Sequence, residues 1–346
     1  MTDRMIASFS RGPVVGEFGT SEAPRIAVLI PCYNEAVAIA AVVGDFATHL
    51  PDAGIFVYDN NSTDATAQIA AAAGAVVRSE MLQGKGNVVR RMFADVDADI
   101  YVLVDGDGTY DAASAPRLVW HLLEHSLDMV NGSRQAVSSE AFRPGHRFGN
   151  RALTGLVAWI FGNRLTDLLS GYRVLSRRFV KSFPALASGF EIETELTVHA
   201  LELRLPIDEL ATPYRDRPGG STSKLRTVSD GVRIFRTITR LVKEERPFHF
   251  FAAVSLFFLI LSLAFGSRVI VDYLLTGLVL RIPMAVLATG LMIIAFLSMV
   301  CGLILDTVTR GRREIKRLHY LALPGQTRLA VPKSANAPRS GARLAE

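Results

Sequence analysis

Two long segments near the carboxyl end of the chain carry no charged side chain. They cover residues 250–267 (FFAAVSLFFLILSLAFGS) and 283–305 (PMAVLATGLMIIAFLSMVCGLIL). A helix needs ~20 apolar residues to cross the hydrocarbon of a bilayer, and both segments come close to that length. The core helix of a soluble protein usually shows a polar stripe, and neither segment does. The sequence therefore predicts two transmembrane helices.

The residues that flank these segments predict how they lie across the membrane. Lys243 and Arg246 precede the first segment, Arg268 marks its far end, and the linker at 268–282 is much less basic than the outer flanks. Because cytoplasmic flanks carry an excess of Lys and Arg, we expect a multi-pass protein of the inner (cytoplasmic) membrane with both termini in the cytoplasm. The basic residues after the second segment are Arg310, Arg312, Arg313, Lys316 and Arg317.

The charge balance limits the expected partners. The chain has 38 Lys and Arg against 33 Asp and Glu, and much of this excess lies at the predicted membrane edges. Contact with anionic lipid headgroups explains such a distribution, whereas a nucleic-acid-binding domain concentrates basic residues on a folded face. We therefore expect a membrane and no nucleic acid among the partners. The two cysteines, Cys32 and Cys301, lie in different parts of the chain, so no disulfide is predicted.

Before the membrane segments, short apolar runs alternate with helical patterns. The helical patterns include residues 84–96 and 115–124. Such alternation predicts an α/β domain, built on a mostly parallel sheet with helices on both faces. The predicted strands are residues 25–30, 55–58, 75–79, 100–105 and 128–134.

Changes of pattern divide the chain into five parts. Residues 1–23 lack the apolar core of a signal peptide and are expected to form a flexible lead-in to the α/β domain at 24–226. Residues 227–247 have the apolar spacing of an amphipathic helix, either at the membrane surface or as an ordinary surface helix. The two membrane helices occupy 248–309, and a basic cytoplasmic tail follows at 310–346.

Four loops are expected to meet at one edge of the predicted sheet. Asp59 and Asp105 stand where two predicted strands end, as do residues 31–35 and 132–134. Ligands of mostly parallel sheets bind in the crevice beyond the carboxyl ends of the strands. We therefore expect the binding site of the domain at this edge.

The motif DGDGTYD, at residues 105–111, is the candidate metal site. An EF-hand loop is excluded, because its sixth position needs Gly and its twelfth Glu, where this chain has Tyr110 and Pro116. An ordinary polar turn remains possible for these residue types. Asp105 and Asp107 alternatively bind Mg²⁺ or Mn²⁺, since hard cations prefer carboxylate oxygens and share them with substrate phosphates. The adjacent glycines let the backbone bend around such an ion.

The motifs PCYNE, YDNNSTDAT, GKG and DGDGTYD, in this order, resemble those of the inverting family 2 glycosyltransferases, which have the GT-A fold, a Rossmann-like α/β domain. The later stretches LTDLLSGYRVLSRR, FEIETEL and PYRDRPGGSTSKL are similar to the polyprenyl-phosphate branch, which includes dolichol-phosphate mannose synthases and bacterial undecaprenyl-phosphate glucosyltransferases. The resemblance covers residues 26–313. It implies a metal-dependent transfer of a sugar from a nucleotide-sugar to a polyprenyl phosphate.

The resemblance also implies roles for single residues. Asp105 and Asp107 are implied as metal ligands, and Asp107 and Asp167 as catalytic residues. Two departures from the family pattern stand out: Asn60 follows Asp59 where relatives often have a second aspartate, and the metal motif ends in GTYD. The residues implied to bind the nucleotide-sugar are Pro31, Tyr33, Glu35, Asp59, Lys85 and Asp105.

The acceptor that the resemblance implies places its own demands on the site. A phosphate monoester has its second pKa near ~6, so at neutral pH it is a dianion and needs no strong base. It does need cations, and arginine suits bidentate phosphate contacts. Asp167 is expected either to orient an arginine or to act as a base toward a hydroxyl acceptor. The candidate phosphate-binding residues are Arg134, Arg147, Ser170, Arg173, Arg217 and Lys224.

Three other functions are weighed against this one. A processive polysaccharide synthase of the same fold would carry a Q-x-x-R-W motif, which the sequence lacks. A transferase to the hydroxyl of a lipid-linked glycan and an inactive scaffold that binds nucleotide-sugar both remain open. UDP is expected before GDP, although no residue decides between them, and the family resemblance makes a homo-oligomer plausible.

Overall fold

The computed structural model describes residues 23–136, 165–189, 191–217 and 242–325, with positions 154, 155, 157, 159, 161 and 162. Some sequence predictions lie outside these residues and stay predictions. They concern the lead-in before residue 23, most of the amphipathic helix at 227–247, the tail after 325, Arg147 and Lys224.

A seven-stranded sheet forms the centre of the α/β domain, with the strand order β3-β2-β1-β4-β6-β5-β7. The pairs β1–β2, β2–β3, β1–β4 and β5–β7 are parallel, while β6 is antiparallel to both β4 and β5. The prediction of a mostly parallel sheet is confirmed. The strands are β1 (Ile26–Cys32), β2 (Gly54–Asp59), β3 (Val76–Ser79), β4 (Ile100–Leu103), β5 (Met129–Ala136), β6 (Arg173–Ser176) and β7 (Ile207–Tyr214).

Helices cover both faces of this sheet, as the sequence predicts. Along β1, Val28 and Ile30 pack into the hydrophobic cluster on one face, and Ala27 and Leu29 into the cluster on the other. A strand that is buried on both faces needs such a continuous apolar run, because successive side chains point in opposite directions. The helices of the domain are α1 (Ile39–His49), α2 (Thr66–Ala72), α3 (Lys85–Asp95), α4 (Ala115–Glu124), α5 (Arg177–Ser182) and α6 (Ile192–Glu202).

Strands β6 and β7 are absent from the predicted set. β6 has only four residues, RVLS, and all four are buried, so it shows no polar alternation. Its hydrogen-bond partners β4 and β5 are far from it in sequence, and the tertiary pairing therefore decides its conformation. The stretch after about residue 141, which shows no regular pattern, thus contributes two strands to the sheet.

The two apolar segments form two long helices, α7 (Pro247–Thr276) and α8 (Ile282–Ala322). Both are long and apolar enough to cross a membrane. Helix α7 is capped by Gly277, which takes a left-handed conformation with φ of 71° and donates its N–H to the Tyr273 carbonyl. The loop between the helices is therefore residues 277–281, much shorter than the predicted linker at 268–282, and Arg268 lies within α7.

Helix α8 is longer than a membrane crossing requires. Its 41 residues span roughly 60 Å at about 1.5 Å per residue, against a hydrocarbon thickness of about 30 Å. The predicted boundary between membrane helix and basic tail, at residue 310, falls inside this continuous helix. The predicted tail is thus helical as far as Ala322.

The last turns of α8 pack against the α/β domain. The Tyr320 hydroxyl donates to Asp128 at 2.6 Å, and the Arg178 guanidinium lies 3.9 Å from the centre of the Tyr320 ring. One turn earlier, Lys316 Nζ lies 2.6 Å from an oxygen of the buried carboxylate of Glu202. These contacts attach α8 rigidly to helices α5 and α6.

We predict that Lys316→Met loosens this attachment, because it removes the nearer cation from a buried carboxylate. The expected cost is up to about 3 kcal/mol, less than that of fully breaking a buried ion pair, since Arg313 stays 3.7 Å from Glu202. Faster hydrogen exchange at the end of α6 and in the last turns of α8, measured in detergent, would report it. Arg310→Met is the control, because the exposed Arg310–Asp306 pair lies on the same helix, and equal exchange in the two variants would contradict the prediction.

Candidate active site

The loop after β4 carries the aspartate motif, and its second carboxylate is held firmly. Asp107 accepts hydrogen bonds from the Thr109 hydroxyl at 2.6 Å and the Thr109 N–H at 3.2 Å. Its other oxygen lies 2.7 Å from Arg217 Nη2. The predicted phosphate-binding Arg217 therefore lies at the aspartate motif, where it neutralises a carboxylate that is almost completely buried.

The third aspartate of the motif has a different set of partners. Asp111 accepts a hydrogen bond from the Ser114 hydroxyl at 2.8 Å and lies 3.1 Å from Arg215. Arg215 also donates its backbone N–H to the Thr109 carbonyl, so the segment after β7 is tied to this loop. Asp111 thus acts as a structural contact of the loop.

Lys85 lies between two carboxylates at the centre of the site. Its ammonium forms ion pairs with Asp105 and with Glu193, the latter at 2.5 Å. Burial alone would lower the pKa of Lys85, but the charges and hydrogen bonds of Asp105 and Glu193 outweigh it and raise that pKa. Lys85 is therefore a fixed positive charge beside Asp105. Glu193 belongs to the FEIETEL stretch, in which the sequence assigns no role to any glutamate.

Glycines allow the backbone to approach these charges closely. A Cβ atom on Gly171 would collide with the Asp105 carboxylate, and one on Gly86 would collide with the Ala187 carbonyl. The Gly171 N–H also donates to the Tyr110 hydroxyl at 2.8 Å. The SGYR stretch thus backs the aspartate motif directly, which its position in the sequence does not reveal.

The predicted nucleotide side of the site is a network between the ends of β1, β2 and β3. Asn34, which has a positive φ of 55°, donates its N–H to the Ser62 hydroxyl and accepts from the Thr63 N–H. Asn60 donates to the Glu80 and Leu82 carbonyls and accepts from the Gly84 N–H at 2.7 Å. Asn60, where relatives often have aspartate, thus connects the loop after β3 to the GKG motif.

The two carboxylate oxygens of Asp59 differ in their hydrogen bonding. Its Oδ2 accepts a hydrogen bond from the Ser62 N–H at 3.1 Å. Its Oδ1 is buried and accepts no hydrogen bond within the described part of the chain. A buried carboxylate oxygen in this state is poised to accept a hydrogen bond from a ligand. Pro31 is the next-to-last residue of β1, and Tyr33 and Glu35 lie in the loop that follows it.

Arg134 and Asp167 form a bidentate ion pair near the end of β5. Arg134 Nε and Nη2 each donate to an Asp167 oxygen at 2.7 Å. Burial alone would raise the pKa of Asp167, but the hydrogen bonds and charge of Arg134 outweigh it and lower that pKa. The Arg134 guanidinium also lies 5.5 Å from the Tyr214 ring, and Tyr214 bridges to Tyr110 of the aspartate loop. Asp167 therefore contacts an arginine, as the first of its two predicted roles requires, and the role itself stays a prediction.

Two predicted phosphate-binding residues prove to be interior. Arg173 has no exposed surface, and its guanidinium donates to the Leu168 carbonyl, the Ser170 carbonyl and the Thr197 hydroxyl. Ser170 is also fully buried, and its hydroxyl donates to the Gly132 carbonyl. Neither side chain is exposed in this structure, so a phosphate-binding role for either residue stays a prediction that the observed packing does not support. Arg173 instead holds the 168–170 turn against helix α6.

Comparison with known proteins places this site in a family. A sequence profile described as "Glycosyl transferase family 2" matches residues 27–182. The glycosyltransferase AglJ of Haloferax volcanii is 32% identical over 307 residues, which cover 86% of this chain and 98% of AglJ. The chain belongs to glycosyltransferase family 2. Its activity is therefore the transfer of a sugar from a nucleotide-sugar donor.

Two further relatives and a solved structure extend the comparison. Protein RfbJ of Shigella flexneri is 63% identical over 36% of this chain and 96% of its own length. A dolichyl-phosphate hexose transferase of Haloferax volcanii is 28% identical over 64% of this chain and 95% of its own. Glucosyl-3-phosphoglycerate synthase of Mycobacterium tuberculosis, solved with phosphoglyceric acid, superposes with a TM-score of 0.52 at 25% identity, covering 64% of this chain and 79% of its own. This likeness confirms the GT-A fold.

The carboxylates of this family 2 chain suit a divalent cation that shares its ligands with a substrate. Within the described ranges, no group of three or more His, Cys, Asp or Glu residues is arranged to hold a metal ion. Mg²⁺ commonly takes only one or two carboxylates and completes its shell with phosphate oxygens and water. Asp105, whose side chain is 29% exposed, and Asp107 provide that donor set. Asp107 would first have to release Arg217.

We predict that Asp107→Asn reduces sugar transfer by about 10² or more, the usual cost of removing a key electrostatic group from an active site. The amide still accepts the Thr109 hydrogen bonds, so the domain should stay folded. Turnover of labelled donor and the melting temperature would be measured together. Asp111→Asn, in the same motif, is the control and should keep its activity, because Asp111 contacts only Arg215 and Ser114 in the described structure. Equal activity of the two variants would contradict a metal role for Asp107.

Proposed function

We propose that this chain is a membrane-bound transferase that moves a sugar from a UDP-linked donor to a polyprenyl phosphate, with inversion and with Mg²⁺ or Mn²⁺. The observation that carries the proposal is the Arg134–Asp167 ion pair. It neutralises the carboxylate that a hydroxyl acceptor would need as its base, and it keeps a guanidinium at the site.

The chemistry of the acceptor follows from this pairing. A hydroxyl must lose its proton as it attacks, and a carboxylate with a lowered pKa is a poor base for that step. A phosphate dianion brings its own nucleophilic oxygen and needs positive charge beside it. Arg134 and Arg217 supply guanidinium groups at the two sides of the aspartate loop, and these suit phosphate oxygens. The polyprenyl phosphate is therefore the acceptor that the site favours.

The proposed reaction is a single displacement at the anomeric carbon of the sugar. An oxygen of the lipid phosphate forms a bond to this carbon while the bond to the nucleotide diphosphate breaks on the opposite side, which inverts the configuration. A bound divalent cation at Asp105 and Asp107 would neutralise charge on the departing diphosphate. Lys85, held by Asp105 and Glu193, adds a fixed positive charge to the same place. The buried Asp59 oxygen would accept a hydrogen bond from the nucleotide base or ribose.

The proposed location is the inner (cytoplasmic) membrane, with the catalytic domain and both termini in the cytoplasm. Support comes from helices α7 and α8 and from the basic residues that flank them. The contacts of Tyr320 and Lys316 with the domain would keep the active site at a fixed height above the lipid. A relative named as a dolichyl-phosphate hexose transferase acts, by that name, on an acceptor of the same chemical class. A homo-oligomer remains part of the proposal.

A transfer assay tests this function directly. Detergent-purified protein would be given undecaprenyl phosphate, Mg²⁺ or Mn²⁺ and a panel of labelled UDP- and GDP-sugars, with and without EDTA. We expect one donor to label the organic phase in an EDTA-sensitive reaction, with an inverted anomeric configuration in the product. Transfer only to the hydroxyl of a lipid-linked glycan would overturn the acceptor. The absence of transfer with every donor and both acceptor types would instead indicate an inactive scaffold.

We also predict that Arg134 and Arg173 respond differently to substitution. Arg134→Gln should raise the KM for the lipid phosphate about tenfold or more and change the KM for the donor much less, because it removes a charged partner of a phosphate. Arg173→Met should instead lower the melting temperature, since each buried oxygen that loses its donor costs roughly 1–3 kcal/mol. Steady-state kinetics and thermal unfolding separate the two effects. A selective loss of lipid use in Arg173→Met would contradict the assignment.

A further inference from the structure

Glu193 is a buried acid to which neither the sequence analysis nor the proposed reaction assigns a role of its own. It is the second residue of helix α6, and its side chain is only 7% exposed. Its Oε1 lies 2.5 Å from Lys85 Nζ, while its Oε2 is buried and accepts no hydrogen bond from the described residues. Its negative charge is therefore directed at Lys85, whose side chain is itself only 9% exposed.

Asp105 has two cations to satisfy in the proposed reaction. It pairs with Lys85 in this structure, and it would also have to bind the divalent cation. If Asp105 were the only partner of Lys85, the metal ion would compete with a buried ammonium that has no other counter-charge. Leaving a buried charge without a partner is costly, so the Lys85–Asp105 pair would lower the affinity of Asp105 for the metal ion. The carboxylate of Glu193 removes this competition, because Lys85 keeps one ionic partner when Asp105 binds the metal ion.

Packing fixes Glu193 in the position that this role requires. Its main-chain carbonyl accepts a hydrogen bond from the Thr197 hydroxyl at 3.2 Å, and that hydroxyl accepts one from the buried Arg173 at 2.8 Å. Gly86, next to Lys85, approaches the chain at Ala187 so closely that a Cβ would not fit. Both partners of the Lys85–Glu193 pair are thus held by the tertiary structure.

We propose that Glu193 is a positioning residue that retains Lys85 when Asp105 binds the divalent cation, and that it thereby sets the affinity of the aspartate site for that ion. The inference rests on the proposed function, because it assumes a nucleotide-sugar site with a metal ion at Asp105. An ammonium has three N–H donors, so Lys85 can pair with both carboxylates and still contact a phosphate oxygen.

Mn²⁺ binding to the full-length protein in the presence of UDP tests this role without turnover. The free-ion signal in electron paramagnetic resonance gives the Kd for wild type, Glu193→Gln, Lys85→Gln and the double variant. Glu193→Gln should raise the Kd about tenfold, a coupling typical of contacting charges, because Lys85 is then held by Asp105 alone. In the Lys85→Gln background the same substitution should have little effect. Glu191→Gln, which removes a charge two residues earlier, is the matched control and should bind Mn²⁺ as wild type does.

Each result decides the matter. An unchanged Kd in Glu193→Gln overturns the role, and so does an equal rise in the Lys85→Gln background, since a purely structural effect would not depend on Lys85. A melting temperature recorded for each variant shows that the folded protein is compared. Glu193→Asp, which keeps the negative charge, serves where Glu193→Gln fails to fold, and a Kd equal to that of wild type despite a lost contact with Lys85 would also overturn the role. Mn²⁺ and UDP binding that depends on Glu193, in a protein that does not label polyprenyl phosphate, supports this role and overturns the proposed acceptor. Failure of wild type to bind Mn²⁺ with UDP or GDP overturns both proposals.

Discussion

Strand β6 runs antiparallel between β4 and β5, and this pairing brings the parts of the active site together. Because β6 starts at the edge where β4 and β5 end, the turn before it lies against both of their loops. Gly171 then backs the Asp105 carboxylate, and the 165–169 segment delivers Asp167 to Arg134. The buried side chain of Arg173, the first residue of β6, holds this turn by hydrogen bonds to the Ser170 and Leu168 carbonyls. A sheet that was parallel throughout would keep these groups apart.

Charge pairing at this edge explains how so many ionisable groups share a buried site. Asp107 pairs with Arg217, Asp167 with Arg134, and Lys85 with both Asp105 and Glu193. Buried charges are tolerated when they are paired and hydrogen-bonded, and these pairs nearly neutralise one another. A phosphate-bearing substrate would bind by replacing a carboxylate as the partner of one of these cations. The Arg217–Asp107 pair is the contact that metal binding would have to open, whereas the Lys85–Glu193 pair can persist.

The two long apolar helices are attached to the α/β domain through contacts of α8 with helices α5 and α6 and with Asp128. Lys316 and Tyr320 of α8 contact Glu202 and Asp128, and α6 also carries Glu193 at its other end. Glu202, which contacts α8, and Glu193, which lies at the centre of the site, therefore share one helix. For a reaction whose acceptor is a lipid headgroup, such an attachment would set the height at which the phosphate meets the donor.

The sequence alone predicts the α/β sheet, five of its strands, the two apolar helices and the edge at which the aspartates lie, because apolar periodicity and strand-end motifs are local signals. It fails where a conformation or contact depends on distant residues. β6 and β7 have weak local patterns, the length of α8 comes from its docking on the domain, and the burial of Arg173 cannot be inferred from an SGYR motif. Glu193, one of the two partners of Lys85, is likewise 108 residues away from it. The sequence by itself determined the aspartates, Lys85 and the arginines from which the site is built, whereas only the tertiary structure decided which of them pair and brought Glu193 among them, because pairing depends on the strand order that brings distant segments together.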